Sequence, residues 1–341
     1  MVKLDRGFPL VRCESGRLVR CEHATALVKT AYARAVIGDF VDIFLPEGHD
    51  KGIIEDIFPR EREFVRKDPT ERALPQVLAA NFDRVLVAQP VADVNLKRLE
   101  RELVLAHETG AEVTIVLTKA DLAEGEGQVK AVREAVEAIA GDVGVLAIAA
   151  DDPASIESVR ALIPEGSTAI LIGKSGVGKS SLVNLLVGKE VLETGDVREG
   201  DGKGRHTTVS REIVRVPGGG CIVDMPGVRG LGLWDAESGI EAAFPDIEEL
   251  AARCRFRDCK HADEPGCAVR AAVGQGDLAP DRFASYQALR QEAREVEERR
   301  EQARRARGEK ASTRRPSRTS ASARSNGRRK GPSSGRKAHR K

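Results

Sequence analysis

The residues best suited to chemistry lie in one glycine-rich segment near the middle of the chain. Residues 173–180 match the phosphate-binding pattern G-x-x-x-x-G-K-[ST] at every fixed position. The glycines let successive backbone N–H groups point at phosphate oxygens, and the positive end of a following helix adds to this anion site. The pattern predicts that Lys179 bridges the β- and γ-phosphates and that Ser180 binds Mg²⁺. The predicted nucleotide contacts here are Gly173, Lys174, Ser175, Gly176, Val177, Gly178, Lys179, Ser180 and Ser181.

A second motif stands at the end of an apolar run, residues 113–117, that predicts a strand. Its residues Thr118, Lys119, Ala120 and Asp121 match the pattern [NT]-K-x-D, by which GTPases recognise guanine. The carboxylate of Asp121 can accept hydrogen bonds from N1–H and the exocyclic amine of guanine, and the Lys119 stem can lie against the base. Four such residues alone would also suit a solvated loop. Together with a phosphate loop they predict GTP, rather than ATP, as the bound nucleotide.

Two segments after the phosphate loop complete a GTPase set. A polar, glycine-rich run over residues 194–204 leads to His206 and Thr208, and a loop of this length in a compact domain is functional or disordered. In GTPases such a loop closes a threonine onto Mg²⁺ and the γ-phosphate, which predicts Thr208 as a magnesium ligand with a catalytic role. Residues Asp224 to Gly227 match D-x-x-G, so Asp224 is predicted to hold Mg²⁺ through water and the Gly227 N–H to sense the γ-phosphate.

The position just after D-x-x-G, where ordinary GTPases carry a water-positioning glutamine, is Val228. Valine can neither orient nor deprotonate water, so a polar group must come from elsewhere. His206, two residues before Thr208, is the predicted catalytic residue. The alternative is that His206 is a loop residue without a catalytic role.

Four metal-ligating residues lie close together in the last third of the chain: Cys254, Cys259, His261 and Cys267. Three thiolates and one imidazole suit a tetrahedral zinc site, and a site with four protein ligands is structural rather than catalytic. Unrelated buried thiols are the alternative. The remaining cysteines, Cys13, Cys21 and Cys221, have no comparable partners and are interpreted as ordinary side chains.

The elements that must position these residues fall into different classes along the chain. Short alternating runs at residues 17–21, 26–30, 40–44 and 52–57 predict a small β-domain of the oligonucleotide-binding (OB) type. A structural β-domain without a ligand explains the same runs equally well. From about residue 80, strands alternate with helices, which predicts a mostly parallel sheet covered on both faces.

The order of the motifs is unusual, because the guanine motif at residues 118–121 precedes the phosphate loop. In Ras-like domains the phosphate loop comes first and the guanine motif last, so the order predicts a circularly permuted GTPase fold. The predicted organisation is therefore multidomain: an OB-like β-barrel over 1–72, a permuted α/β P-loop GTPase domain over 73–234, an α-rich zinc-binding domain over 235–307 and a disordered basic tail over 308–341.

The charge is concentrated at the end of the chain. Residues 308–341 carry 12 Lys/Arg and one Glu, a local +11, so the net charge of +2 leaves 2 − 11 = −9 for residues 1–307. The tail is predicted to be a nucleic-acid-binding arm, with a solubilising tail as the alternative. No apolar run approaches the ~20 residues of a membrane helix, and the N-terminus has no apolar signal core. We therefore expect a cytoplasmic location and no membrane partner.

A β-barrel, a permuted GTPase and a Cys₃His cluster in this order resemble the ribosome small-subunit-dependent GTPase A (RsgA) family. The resemblance covers residues 10 to 295, and the zinc stretch is its most specific part. The matching stretches are residues 37–41, 79–83, 118–121, 173–181, 204–208, 224–227, 254–261 and 264–269.

The resemblance implies a cytoplasmic GTPase with Mg²⁺ and one Zn²⁺ per chain. It would bind the small ribosomal subunit late in assembly, contact its rRNA and release assembly factors upon hydrolysis. We expect it to act as a monomer. The alternatives are a non-enzymatic rRNA-binding module in which the nucleotide is structural, a permuted GTPase that acts elsewhere, and an ATP-dependent enzyme.

Overall fold

The computed structural model describes residues 1–5, 8–28, 34–68, 74–192, 211–225 and 232–306. The strands are β1 Lys3–Asp5, β2 Phe8–Arg12, β3 Leu18–His23, β4 Val41–Phe44, β5 Lys51–Ile57, β6 Glu63–Lys67, β7 Pro75–Ala80, β8 Arg84–Pro90, β9 Glu112–Thr118, β10 Gly144–Ala147, β11 Thr168–Ile172, β12 Arg211–Arg215 and β13 Cys221–Asp224. The helices are α1 Thr25–Val28, α2 Leu96–Glu108, α3 Glu126–Ala140, α4 Pro153–Ala161, α5 Lys179–Val187, α6 Glu237–Ala243, α7 Pro245–Ala251, α8 Ala268–Gln275 and α9 Pro280–Ala306. Within these ranges no helix is both long enough and apolar enough to cross a bilayer.

The predicted parallel sheet is confirmed. Its strands lie in the order β10-β9-β8-β11-β13, all parallel, and β12 joins β13 in antiparallel pairing. Because helices cover both faces, the central strands read as continuous apolar runs. In β11, for example, Ile170 and Ile172 enter one core with residues of α2 and α3, whereas Ala169 and Leu171 enter a second core with residues of α4 and α5.

The N-terminal strands fit the predicted OB-like barrel, in the order β1-β2-β3-β5-β4. Three of the four predicted runs contribute to strands β3, β4 and β5. The fourth prediction, a strand over residues 26–30, is wrong where the structure describes it, because residues 25–28 form the short helix α1. Its backbone closes on itself, since the N–H groups of Leu27 and Val28 both donate to the carbonyl of Ala24.

The barrel and the α/β sheet form one continuous sheet through β1 and β12. Lys3 lies opposite Glu212 in antiparallel register, and their side chains form an ion pair at 2.5 Å. The N–H of Ile213 donates to the carbonyl of Val2 at 2.8 Å. A separate hairpin, β6–β7, straddles the predicted junction between residues 72 and 73. The domain boundaries proposed from the sequence therefore stay a prediction.

A buried arginine fastens the C-terminal helices to the α/β domain. Arg282 on α9 donates from Nη1 to Glu100 of α2 at 2.9 Å and from Nη2 to Asp246 of α7 at 2.8 Å. Its guanidinium also lies 4.2 Å from the centroid of the Phe244 ring. Only 6% of the Arg282 side chain and 4% of the Glu100 side chain are exposed. The pair is therefore almost completely removed from water.

We expect Arg282→Ala to lower the free energy of unfolding by about 3–5 kcal/mol, because Glu100 would keep its buried charge without a partner. Denaturant unfolding measures the change. The matched control is Arg299→Ala on the same helix, whose ion pair with Glu295 is about half exposed and spans 4.0 Å. That exposed pair contributes about 0.5 kcal/mol or less. Equal destabilisation by the two variants would contradict this interpretation of the buried pair.

Candidate nucleotide site and metal centre

The glycine-rich segment forms a tight loop between β11 and α5. Gly173 follows the last residue of β11 with φ +144°, and a Cβ atom there would lie 2.6 Å from the carbonyl oxygen of Ala88. Gly178, with φ +96°, precedes the first residue of α5. Both positions require glycine, since other residues are strained there and a side chain at 173 would collide with backbone. The strand–loop–helix context that the motif needs is therefore present.

Lys179 lies under this loop with little exposure to solvent. Its ammonium group donates to the carbonyls of Gly173 at 2.9 Å and Lys174 at 3.0 Å, so the side chain curls back along the loop. Burial lowers the pKa of Lys179, while the nearby carboxylates of Asp224 and Glu102 act to raise it. The side chain is held where an arriving phosphate would meet its charge.

Ser180 and Asp224 form the part of the site suited to a cation. The Ser180 hydroxyl donates to Oδ2 of Asp224 at 2.9 Å. The other oxygen, Oδ1, is buried and has no hydrogen-bond partner among the described residues. Burial raises the pKa of Asp224, whereas Lys179 and the Ser180 hydrogen bond lower it. A hydroxyl and carboxylate oxygens are ligands that Mg²⁺ accepts directly or through its water, so these residues fit the predicted magnesium site.

The predicted guanine motif lies against the phosphate loop. Thr118, at the end of β9, donates its hydroxyl to the carbonyl of Val177, and Lys119 donates to the carbonyl of Gly176 at 2.7 Å. Lys119 has φ +59°, a left-handed conformation that turns the chain sharply after the strand. Asp121 Oδ1 accepts from the N–H of Ala150 at 3.1 Å. Parallel pairing of β8 with both β9 and β11 brings the two motifs together although they are distant in sequence.

Four of the predicted site elements lie outside the described residues. These are His206 and Thr208 of the polar loop, Gly227 of the D-x-x-G motif, and the Val228 position that follows it. The basic tail over 308–341 also lies outside the described ranges. The roles assigned to these residues stay predictions.

A buried polar network beside the phosphate loop is not marked by any of the sequence motifs. Glu102 of α2 has no exposed side-chain surface and pairs with Arg98 at 2.8 Å. Its other oxygen accepts from the Gln89 amide at 2.5 Å. Gln89 lies near the carboxyl end of β8, at the edge of a parallel sheet where ligands bind. A polar residue at that position in an apolar strand is the sequence feature that could have indicated the network. Glu102 acts on the pKa of Lys179, so the network contributes to the electrostatics of the loop.

The four predicted metal ligands come together in the C-terminal part of the protein. The ligand atoms of Cys254, Cys259, His261 and Cys267 all lie within 4.8 Å of one another. The sulfurs of Cys254 and Cys267 are 3.9 Å apart, and Nδ1 of His261 is 3.6 and 3.4 Å from them. A tetrahedral ion with Zn–S of about 2.3 Å needs sulfur–sulfur edges of about 3.8 Å. The donor set and its spacing therefore fit zinc.

Local hydrogen bonds shape the loop that carries these ligands. The Glu264 carboxylate accepts from the N–H groups of Lys260 and Ala262, both at 2.9 Å, on either side of His261. His261 has φ +56°, and its carbonyl accepts from Gln287 of α9 at 3.3 Å. The imidazole is thus directed at the sulfurs by backbone geometry and by contact with a long helix.

Comparisons with known proteins agree with this geometry. Residues 57–234 match the family model described as RsgA GTPase. The "Small ribosomal subunit biogenesis GTPase RsgA" of Streptomyces avermitilis is 40% identical over 300 residues, which cover 87% of this chain and 79% of the relative. The protein of the same name from Xanthomonas axonopodis pv. citri is 43% identical over 270 residues, covering 79% and 72% respectively.

Two solved structures share the fold. YjeQ from Thermotoga maritima matches with a TM-score of 0.60 and 28% identity, covering 86% of this chain and 96% of that one. YloQ, described as a circularly permuted GTPase, matches with a TM-score of 0.57 and 24% identity, covering 86% and 93%. The permuted fold predicted from the motif order is therefore confirmed. The chain belongs to the RsgA GTPase family and is a GTP hydrolase.

Proposed function

We propose that this GTPase acts on the small ribosomal subunit, which stimulates its GTP hydrolysis during late maturation. The relatives' name, small ribosomal subunit biogenesis GTPase, supports the partner. The observation that carries the activity is the Ser180–Asp224 pair beside the phosphate loop, with one buried carboxylate oxygen left for a hydrated cation. The proposal includes contact with rRNA, a cytoplasmic location, a monomeric state and release of assembly factors upon hydrolysis. The basic tail is proposed as an additional nucleic-acid arm.

The described residues of the site would contact different parts of GTP. Asp121 accepts hydrogen bonds from the guanine edge, while Lys119 covers the base and braces the phosphate loop. Lys179 neutralises charge on the β- and γ-phosphates. Ser180 and Asp224 would hold Mg²⁺, which neutralises charge that develops on the phosphate oxygens. None of these side chains is placed to orient the attacking water, so hydrolysis by the isolated protein should be slow.

GTP turnover measured with and without purified small subunits tests the proposed function. We expect turnover to rise on addition of subunits and to be competed by GDP but not by ATP. Lys179→Ala is the control for contaminating GTPases, since it removes the phosphate-binding ammonium. Basal turnover without stimulation would overturn the proposal in favour of a permuted GTPase that acts elsewhere. Competition by ATP would favour the ATP-dependent enzyme.

We propose zinc as the ion of the Cys₃His cluster, in a structural role. Cys259→Ser should lower the zinc content from about one ion per chain and destabilise the C-terminal part, because a structural zinc contributes folding free energy directly. GTP affinity should survive, since the nucleotide site lies in the α/β sheet. The control is Cys13→Ser, a half-buried thiol of the barrel outside the cluster. Elemental analysis and thermal unfolding measure the effect, and purified protein without stoichiometric zinc would refute the assignment.

We propose that His206 positions the attacking water when the small subunit is bound. His206→Ala should keep GTP affinity and lose subunit-stimulated turnover by roughly 10²–10⁴-fold, the range for a group that moves or orients a proton. Thr208→Ala should instead weaken the Mg²⁺-dependent GTP state itself. His49→Ala, an exposed imidazole of the barrel, is the matched control. Stimulation of His206→Ala equal to that of the wild type would assign the water-positioning group elsewhere, for example to the ribosome.

A further inference from the structure

A cavity of about 700 Å³ lies where the barrel meets the α/β domain. None of the nucleotide-site residues described above lines it. Its walls come from strands of both parts of the continuous sheet, together with β7 of the separate hairpin. Leu4, Phe8 and Val77 supply apolar surface, and His23, Arg34 and Arg211 supply basic groups.

Strand register turns Arg211 into this cavity. Arg211 lies opposite Leu4 in the pairing of β12 with β1, whereas the next residue, Glu212, lies opposite Lys3. Because side chains alternate between the faces of a sheet, Arg211 shares a face with Leu4, and both line the cavity. Glu212 points to the other face, where it pairs with Lys3.

Arg211 is a half-buried cation that has neither an ion pair nor a hydrogen bond from its side chain to any described residue. The charged group that acts on its pKa is a second guanidinium, Arg66. Burial lowers the pKa of Arg211, and Arg66 lowers it further. A buried charge is costly unless it is paired, so the Arg211 guanidinium at the cavity wall indicates a place for an anion.

The carboxylates at the cavity are engaged with other cations. Glu22 forms an ion pair with Lys51 at 2.8 Å. Asp68 acts on Arg66, whose pKa it raises against the effect of burial. Burial and then Arg34 lower the pKa of His23, whereas the carboxylate of Asp39 acts in the opposite direction. Among the described residues that line the cavity, Arg34 and Arg211 are therefore the cations without an ion pair, next to apolar walls.

We propose that this cavity binds the phosphate of a nucleotide unit, with Arg211 as the direct ligand and Arg34 as the second cation. Guanidinium presents paired N–H donors that match phosphate oxygens. The aromatic ring of Phe8, 44% exposed, and the aliphatic walls suit the flat face of a base. That this nucleotide unit belongs to RNA rests on the proposed function. A free mononucleotide offers the same phosphate and base.

The test compares wild type with Arg211→Gln and Arg211→Lys. The probes are a labelled oligomer of ten uridines, titrated at several salt concentrations, and uridine monophosphate, followed by its effect on the thermal midpoint. We expect Arg211→Gln to weaken oligomer binding roughly tenfold. The slope of log affinity against log salt should fall by about 0.7, the value for one phosphate contact on a single strand. Arg211→Lys should keep the slope, because it keeps the charge.

The matched control is Arg215→Gln, which removes a mostly exposed guanidinium from the other end of β12 and should leave the slope unchanged. If uridine monophosphate stabilises the wild type but not Arg211→Gln, while oligomer binding is unaffected, the cavity serves a free nucleotide. If Arg211→Gln behaves like wild type with both probes, the proposal is overturned. If Arg211→Gln does not fold, the test rests on Arg211→Lys. An unchanged salt slope with a reduced affinity for the oligomer supports contact between Arg211 and phosphate, whereas an unchanged affinity contradicts it.

Subunit-stimulated GTP turnover, measured on the same preparations, separates this inference from the proposed function. Wild type that is stimulated by small subunits but shows no Arg211-dependent binding refutes the cavity proposal alone. Wild type that shows Arg211-dependent oligomer binding without stimulation refutes the proposed function and leaves the cavity proposal standing.

Discussion

The nucleotide site depends on one constraint, the parallel pairing of β11 with β8 on one side and β13 on the other. Parallel strands end at the same edge, so this ladder places the phosphate loop beside the end of β13, which carries Asp224. The approach is so close that residue 173 has no room for a side chain next to the carbonyl of Ala88. The guanine motif joins the same edge through β9. The order of these strands in the chain is irrelevant to that geometry, which is why permutation preserves the site.

Permutation does change which part of the chain follows the D-x-x-G motif of a GTPase. Here the chain passes from Asp224 on β13, through the D-x-x-G motif, directly to the C-terminal helices. Those helices return to the α/β domain: Glu292 of α9 accepts from the N–H of Leu233 at 3.1 Å and pairs with Arg101 of α2 at 2.7 Å. With the buried Arg282 pair, these contacts hold α9 and the chain at Leu233 against the α/β domain.

The sequence predicted most reliably what is local or repetitive. The strand predicted over residues 113–117 lies within β9, Glu112–Thr118, because a central parallel strand is apolar along its whole length. The four metal ligands were identified from spacing within a single loop. The sequence did not predict the pairing of β1 with β12, nor the contacts of Arg282, because each joins residues that are far apart in the chain. The strand predicted over residues 26–30 was wrong in its described part, because Ala26 and Leu27 are strong helix formers.

The charges around Lys179 explain why binding of a nucleotide at this site should require a cation. Burial lowers the pKa of Lys179, and the carboxylates of Asp224 and Glu102 offset only part of that effect. A phosphate chain alone would add negative charge next to Asp224, which burial already makes reluctant to ionise. Ser180 and Asp224 would hold a divalent ion, whose charge would offset that repulsion next to the unpartnered Oδ1 of Asp224. Nucleotide and metal should therefore enter as a coupled pair, and loss of the γ-phosphate should weaken both.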